Sequence, residues 1–300
     1  MTDVGIGARA GLLWLLRPKL RTKVNRAKTD EGRVFKSLLL GFVGMFFWAL
    51  IFSVIFRMLL YFRGTQGIGD LLAAKLLGLT FVTFLMILVL SNVITALSTF
   101  FLSEDLEFVV AAPIEAETVY AARLIETIVD SSWMVALLTI PLLIAYGAVY
   151  AAGPLYYLLA VATVLPFLAI PAVLGSAVTL LLVNVFPARR TRDLLALVGL
   201  FAVAGVVALF RVLRPERLMN PEQVSSLVDF VAVLRTPTSA WLPSEWAAET
   251  LMSYLNGTFD WFPFAFLWST AAMMFVVGGM LHRRYFDGGF TRAQEGAERR

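Results

Sequence analysis

The sequence predicts an all-α integral membrane protein, folded as a bundle of six transmembrane helices. Of its 300 residues 59% are apolar and only 15% are charged, and the mean hydropathy is +0.81. Together with 24 phenylalanines and repeated apolar runs, these values exceed what a soluble core of this length can bury. The sequence has no cysteine, which excludes disulfides, thiol nucleophiles and thiolate metal sites.

Six apolar segments are long enough to cross a membrane. A helix that spans the ~30 Å hydrocarbon layer needs about 20 mostly apolar residues. The segments that meet this requirement are residues 37–61, 77–101, 132–151, 155–186, 194–213 and 261–281. The fourth contains Pro166 and Pro171, which we expect to kink it unless neighbouring helices satisfy the freed carbonyls.

The distribution of basic residues predicts that both termini are cytoplasmic. With this orientation 18 of the 25 Lys and Arg residues lie on the inner side and seven on the outer side, as the positive-inside rule requires. We therefore expect a multi-pass protein of the plasma (cell inner) membrane. Its parts are a cytoplasmic segment 1–36, a transmembrane domain 37–282 and a cytoplasmic tail 283–300. Within the domain, 102–131 is a cytoplasmic loop and 214–260 an extracytoplasmic helical loop.

Outside the spans, three helices are predicted in the N-terminal segment and the outer loop. The N-terminal stretch interleaves leucines with six basic residues, a pattern typical of an interfacial helix that lies on membrane lipid. In the outer loop one helix begins after Asn220-Pro221, and a second runs from Pro243-Ser244 to the stop signal Asn256-Gly257. No nucleic-acid-binding motif accompanies the charges, so we expect no nucleic acid partner.

Two residues invite a catalytic interpretation. The stretch Gly67-Ile-Gly-Asp70 resembles the GxGD box of intramembrane aspartyl proteases, but that chemistry needs a second carboxylate in the membrane and the spans contain none. We therefore expect Asp70 to cap a helix N-terminus. The single histidine, His282, adjoins two arginines at the end of a span, and we expect a flanking interfacial role. No catalytic residue and no metal site is predicted.

The most unusual feature is an acidic loop between the second and third spans. It places seven acids against one base, Arg123, in an otherwise apolar chain; the acids are Glu104, Asp105, Glu107, Glu115, Glu117, Glu126 and Asp130. Ser103 is a candidate cap for a short helix with acids in its first turn, and Pro113 interrupts the chain. A second helix follows from Glu115 to Asp130 and leads into the third span.

At these residues the sequence resembles a known family. The run LSEDLEFVVAAPIEAETVYAARLIE is similar to the cytoplasmic loop between the second and third spans of ABC-2 type transporter permeases. The interfacial N-terminal helix, the six spans and the short outer helices occur in the same order. The resemblance implies the permease subunit of an ATP-binding cassette exporter that couples ATP hydrolysis by a separate cytoplasmic ABC ATPase to substrate export.

The same resemblance implies a docking site for that ATPase. The loop's short helix would be the coupling helix; the implied docking residues are Ser103, Glu104, Asp105, Leu106, Glu107, Val110, Pro113, Glu115, Glu117 and Tyr120. The chain itself would have no cofactor, because it contains no GxxxxGK[ST] loop and the partner would bind ATP and Mg²⁺. A homodimer partner or a second transmembrane half would complete the pathway.

Two alternatives remain open at this stage. A polytopic membrane enzyme acting on lipid or peptide would lose activity when Asp70 or His282 is changed. A membrane scaffold or assembly factor would have no transport cycle. A neighbouring reading frame that encodes a Walker-box ATPase would favour the permease over both. The substrate is not predictable from the sequence.

Overall fold

The computed structural model describes residues 33–64, 68–101, 103, 115–185, 199–200, 203–205, 207 and 241–295. Within these residues every regular element is a helix, which confirms the all-α prediction. The helices are α1 (Arg33–Arg63), α2 (Gly69–Phe101), α3 (Ala116–Val149), α4 (Pro154–Val185), α5 (Pro243–Leu255) and α6 (Phe262–Glu295).

Five of these helices are long and apolar enough to cross a membrane. They are α2, α3, residues Gly41–Arg63 of α1, Pro154–Asn184 of α4 and Phe262–Tyr285 of α6. The chain is therefore a multi-pass membrane protein. The predicted fifth span, 194–213, lies largely outside the described residues, although its described positions 199–200, 203–205 and 207 are helical. The predicted N-terminal interfacial helix and the helix after Asn220-Pro221 also lie outside them.

The helices form a bundle in which α2 and α4 are central. Helix α2 packs against α3, α4 and α5, and α6 packs mainly against α4, while α1 lies against α3 at the periphery. Phe81 and Phe167, both almost fully buried, pack edge to face with ring centroids 5.0 Å apart and join α2 to α4. Helix α1 exposes most of its apolar side chains, as expected for a helix that faces lipid.

One end of the bundle, which we call the Asp70 end, is closed by short connections and directional contacts. The Arg63 side chain at the end of α1 donates to the carbonyl of Val149 at the end of α3. The Tyr150 hydroxyl donates to Asp70 Oδ1 at 2.9 Å, and Tyr146 donates to the carbonyl of Ala73 at 2.7 Å. Asp70 lies in the first turn of α2, which agrees with a structural role at a helix N-terminus.

Helix α5 lies where the second helix of the outer loop was predicted and ends at the predicted stop signal, while its placement on the outer side stays a prediction. It ends at Leu255, is capped by Asn256, and is followed by Gly257 with a φ of +75° that favours glycine. Its buried face includes Ala247 and Leu251 and packs against α2, α4 and α6. The exposed Glu249 lies near Asp260 and Glu245; partial burial and then these two charges raise the pKa of the Glu249 carboxyl.

One local expectation differs from the structure. The predicted helix from Glu115 to Asp130 is not separate from the third span, because both belong to the single 34-residue helix α3. Helix α4 continues through Pro166 and Pro171 as one helix, and the kink expected at these prolines stays a prediction.

Candidate functional site at the His282 end

The opposite end of the bundle, which we call the His282 end, contains an aromatic cluster of which three members are buried and the fourth, Phe275, is exposed. It comprises Phe100 of α2, Tyr120 of α3, and Phe275 and His282 of α6. The His282 ring centroid lies 4.6 Å from that of Phe100 and 4.8 Å from that of Tyr120. The Tyr120 centroid lies 5.7 Å from that of Phe275 and 6.1 Å from that of Phe100. We call these four residues the aromatic cluster.

His282 corrects a sequence prediction. We expected a flanking residue at the membrane interface, but its side chain is buried at 4% exposure. The arginines beside it misled the prediction: Arg283 and Arg284 are exposed, whereas His282 points in the opposite direction on the same helix. Arg283 and Arg284 lie about 100° and about 200° from His282 around the helix, which allows His282 to be buried while both arginines are exposed.

Two glycines allow α6 to approach α3 closely at this cluster. A methyl group on Gly278 would lie 2.3 Å from the Tyr120 hydroxyl oxygen and 2.9 Å from Cγ1 of Val173 in α4. At Gly279 the same group would lie 3.5 Å from the Tyr120 ring, an ordinary contact. The Tyr120 side chain therefore occupies the space that a side chain at position 278 would need.

A buried polar contact lies on the bundle side of the cluster. Ser131 of α3 donates to Asn92 Oδ1 of α2 at 2.7 Å, and Asn92 Nδ2 donates to the carbonyl of Leu88 at 2.7 Å. Gly175 of α4 packs against Asn92, where an added methyl group would lie 2.7 Å from the Asn92 carbonyl carbon. Three helices are thus joined at one level. Asn92 was not among the predicted site residues.

A buried ion pair lies one turn beyond Tyr120. Arg123 Nη1 donates to Glu126 Oε2 at 3.1 Å, and the Arg123 side chain is only 5% exposed. Because both residues belong to α3, the pair does not connect two helices. It neutralises the one base and one of the seven acids of the loop, so fewer unpaired charges are available to a partner than the sequence suggested.

The surface of the His282 end carries exposed charges of both signs. Glu115 caps the N-terminus of α3 and is exposed, and Glu117 forms an ion pair with Arg283 at 3.6 Å. Both partners of this pair are more than 70% exposed, so it contributes little to stability. Arg284 is exposed beside it.

The structure places only part of the predicted docking site. Glu115 and Glu117 lie on the surface, Ser103 is half-buried, and Tyr120 is buried at 3% exposure in the aromatic cluster. Tyr120 is therefore not available for surface contact in this structure. The other predicted residues lie outside the described residues: Glu104, Asp105, Leu106, Glu107, Val110 and Pro113.

Neither a metal nor a nucleotide fits the described residues. Among them no three His, Asp or Glu side chains are close enough to hold a metal ion. A phosphate-binding loop of the GxxxxGK[ST] type follows a strand and precedes a helix. The sequence contains no such motif, and the described part of the chain contains no strand.

Comparison with known proteins gives one match. A family model described as "Putative ATP-binding cassette" matches residues 28–300. No curated protein and no solved structure matches the chain.

This match corrects the family predicted from the sequence. The matched model is that of an ATP-binding cassette family and not of an ABC-2 type permease family, so that resemblance is wrong. The function that depended on it, the permease subunit of an ABC exporter, is wrong with it. The comparisons do not support the alternatives of a membrane enzyme or a scaffold either. These motifs gave the wrong family because acidic loops, prolines and amphipathic helices between spans each occur in many families of membrane proteins.

Proposed function

Because the chain belongs to the family described as "Putative ATP-binding cassette", we propose that it is a membrane-embedded component of an ATP-binding cassette assembly. We further propose that a cytoplasmic ABC ATPase subunit docks at the His282 end. A protein of an ABC family works with other ABC components, and we expect them to contact this chain at its His282 end. It assigns neither a permease activity nor a direction of transport.

The distribution of charge along α3 carries this proposal. The helix has 34 residues and is about 51 Å long, whereas the hydrocarbon layer is ~30 Å thick. Its four charged residues, Glu117, Arg123, Glu126 and Asp130, all lie in its first half, and residues 131–149 contain none. Residues 131–149 span about 28 Å, close to the thickness of the layer. The first half of α3 then extends beyond the hydrocarbon at the His282 end.

The extended part of α3 would offer a partner an acidic surface. Glu115 and Glu117 are exposed there, and they follow directly on the acids Glu104, Asp105 and Glu107 in the chain. A partner with a basic rim would be attracted to this surface and oriented by it. Tyr120 belongs to the same part of α3 but faces the interior, so it would support the docking surface and not contact the partner.

Helix directions support a sixth crossing and a common side for both termini. Helix α4 begins at the Asp70 end and ends at the His282 end. Helix α6 begins near the Asp70 end, because Trp268 Nε1, early in α6, donates to the carbonyl of Ala162, early in α4. The described residues on the two sides of the segment between 186 and 241 therefore lie at different ends of the bundle, and the predicted span 194–213 would connect them. Helix α1 begins and α6 ends at the His282 end. The excess of basic residues favours the cytoplasm for this side.

In this proposal the chain is not itself an enzyme. It has no GxxxxGK[ST] loop, so ATP and Mg²⁺ would be bound by the partner, and this chain would need no cofactor. Membrane lipid would surround the bundle, and a second copy or a second transmembrane component would lie beside it. The purified chain alone should hydrolyse no ATP.

The test is co-purification from the native membrane after charge reversal. We expect E115K/E117K to abolish co-purification of any component that contains a Walker motif and binds ATP, because the acidic surface becomes basic. The matched control is E249K/D260K, which reverses two exposed acids near the Asp70 end. The control should retain the partner. Both variants should insert into the membrane as the unaltered chain does.

Two results would contradict the proposal. One is that no ATP-binding component co-purifies with the unaltered chain under mild detergent. The other is that E249K/D260K releases the component while E115K/E117K retains it, which would place docking at the Asp70 end.

A further inference from the structure

Helix α4 contains a backbone carbonyl that its own helix cannot pair in the ordinary way. In an α-helix the carbonyl of residue i accepts a hydrogen bond from the N–H of residue i+4, and proline has no N–H. Pro166 therefore leaves the carbonyl of Ala162 without its usual donor. Ala162 lies within the segment of α4 that is able to cross a membrane, where water is scarce and an unpaired carbonyl is costly.

The neighbouring helix supplies a donor to this carbonyl. Trp268 Nε1 of α6 donates to the carbonyl oxygen of Ala162 at 3.1 Å. The indole N–H is a donor only, so it needs an acceptor wherever it leaves water. One hydrogen bond thus satisfies a donor on α6 and an acceptor on α4, both of which lie in segments that are able to cross a membrane.

The position of Trp268 distinguishes it from an ordinary interfacial tryptophan. Trp261 directly precedes α6 and is 70% exposed, as expected for an anchor at the membrane boundary. Trp268 lies seven residues further on, about 10 Å deeper along the helix axis and on the same face, and is 43% exposed. Fewer headgroups and water molecules are available at that depth, so a carbonyl of the protein becomes the acceptor for its indole.

The same two helices are joined again near their other ends. Asn184 Nδ2 of α4 donates to the carbonyl of Tyr285 in α6 at 3.2 Å. Between the two hydrogen bonds Gly278 lets α6 approach α4 closely, because an added methyl group would lie 2.9 Å from Cγ1 of Val173. The bond from Trp268 therefore belongs to a pair of helices that is in contact along most of its length.

We propose that Pro166 and Trp268 form an interhelical joint. The proline frees the carbonyl of Ala162, and Trp268 uses this carbonyl to fix the position of α6 on α4. Trp268 is then a positioning residue of the bundle, and the proline provides the acceptor to which it binds. This inference does not depend on the proposed ATPase partner.

The test is a double-mutant cycle of W268F and P166A. The measurement is the ratio of folded to unfolded chain at equilibrium in micelles that mix a mild detergent with SDS. In the chain that keeps Pro166 we expect W268F to lower this ratio roughly threefold or more, the factor typical of one hydrogen bond between membrane helices. In P166A the new N–H at position 166 pairs with the Ala162 carbonyl, so W268F should lower the ratio less.

Two matched controls isolate the joint from general effects of either substitution. P171A also restores a backbone N–H in α4, but one that pairs with the carbonyl of Phe167, so it should leave the effect of W268F unchanged. W261F removes an exposed indole from the same face of α6 and should change the folded-to-unfolded ratio little in either background.

An isostere separates the N–H of Trp268 from the packing of its ring. Benzothienylalanine at position 268 keeps the shape of the indole and replaces its N–H by sulfur. We expect it to lower the ratio in the chain that keeps Pro166 and to leave the ratio nearly unchanged in P166A, where the Ala162 carbonyl has a backbone donor.

Two outcomes would overturn the joint. The first is an effect of W268F that is equally large with Pro166 and with P166A, because Trp268 would then act through ring packing alone. The second is an isostere that leaves the unaltered chain as stable as before, which would mean that the indole N–H contributes nothing. If P166A does not fold, the comparison of the isostere with the unaltered chain decides by itself.

Discussion

The two ends of the bundle are closed by different kinds of contact. At the Asp70 end, tyrosine hydroxyls donate hydrogen bonds across helices, and Arg63 donates to the last turn of α3. At the His282 end, rings pack against rings, Asn184 Nδ2 of α4 donates to the carbonyl of Tyr285 in α6 at 3.2 Å, and the ion pair between Glu117 and Arg283 is exposed. Directional bonds between buried groups are costly to break, whereas ring packing tolerates rearrangement. We therefore expect the Asp70 end to be the more rigid of the two.

The raised pKa of Tyr150 preserves the hydrogen bonding at the Asp70 end. Burial and the hydrogen bond to the Asp70 carboxylate both raise the pKa of the Tyr150 phenol, while the Arg63 guanidinium partly opposes them. The Arg63 guanidinium carbon lies 4.8 Å from the centre of the Tyr150 ring. Tyr150 therefore stays protonated and able to donate throughout the physiological pH range. The hydrogen bond from Tyr150 to Asp70 should therefore not be lost through ionisation of the phenol near neutral pH.

The largest loss of stability is expected from a substitution at Gly175, where α4 packs against Asn92 of α2. G175A would place a methyl group 2.7 Å from the backbone of Asn92, which cannot move aside as a flexible side chain can. We expect a loss of about 2–3 kcal/mol in stability. The measurement is the temperature at which half of the protein stays monodisperse in detergent. G44A is the control, because nothing lies within 4 Å of its new methyl group.

A tyrosine exchanged for phenylalanine should have unequal effects at the two ends. Y146F removes the hydrogen bond to Ala73 and should lower the stability of the bundle by about 1 kcal/mol. Y120F removes a hydroxyl whose partner is Ser176 at a less favourable geometry, so it should cost less than Y146F. Thermal unfolding of both variants in the same detergent gives the comparison. Equal destabilisation by both would show that the two ends do not differ in this respect.

A smaller effect is expected from the exposed contact at the Asp70 end. Y150F deletes the donor to Asp70 Oδ1 but keeps the ring beneath Arg63. We expect a loss of about 0.5–1 kcal/mol, typical of one hydrogen bond that water can partly replace. D70N keeps an acceptor at the same position and should cost less than Y150F. The reverse order would mean that the charge of Asp70, and not the hydrogen bond, joins α2 to α3.

The smallest effect is a pH dependence at α5. The pKa of Glu249 is raised in the folded protein, by burial and then by Asp260 and Glu245, so the fold prefers the protonated carboxyl. The protonated Glu249 carboxyl therefore adds to the free energy of unfolding at pH values below the ordinary carboxyl pKa. This contribution is lost as the pH rises through the raised pKa. E249Q should flatten this dependence between mildly acidic and neutral pH. Thermal unfolding measured across that range checks it, and a steeper dependence in E249Q would contradict the assignment.

Much of the fold follows from the sequence because long apolar runs determine helices directly. The five described spans and helix α5 with its Asn256-Gly257 stop were predicted. The continuity of α3 was not, since the charged residues in its first half resemble a loop when they are judged by hydropathy alone. The uninterrupted course of α4 through Pro166 and Pro171 depends on packing, which local sequence does not reveal.

The candidate site was predictable only in part. The acidic surface residues Glu115 and Glu117 were identified, because charge in an apolar chain is conspicuous. The burial of Tyr120 and His282 was missed, since it depends on which helices face each other at the His282 end. The adjacent pair Gly278–Gly279 was the available signal for close helix packing there. The family was also mispredicted, because the order of degenerate motifs does not distinguish related groups of membrane proteins.

The most direct test of the contrast between the ends compares the distances within two spin-label pairs in the same membrane. One pair is E117C/R283C at the His282 end, and the other is Y61C/W261C, two exposed positions on α1 and beside α6 at the Asp70 end. We predict a broader distance distribution for the first pair than for the second. A narrow distribution at the His282 end with a broad or divided one at the Asp70 end would contradict the account.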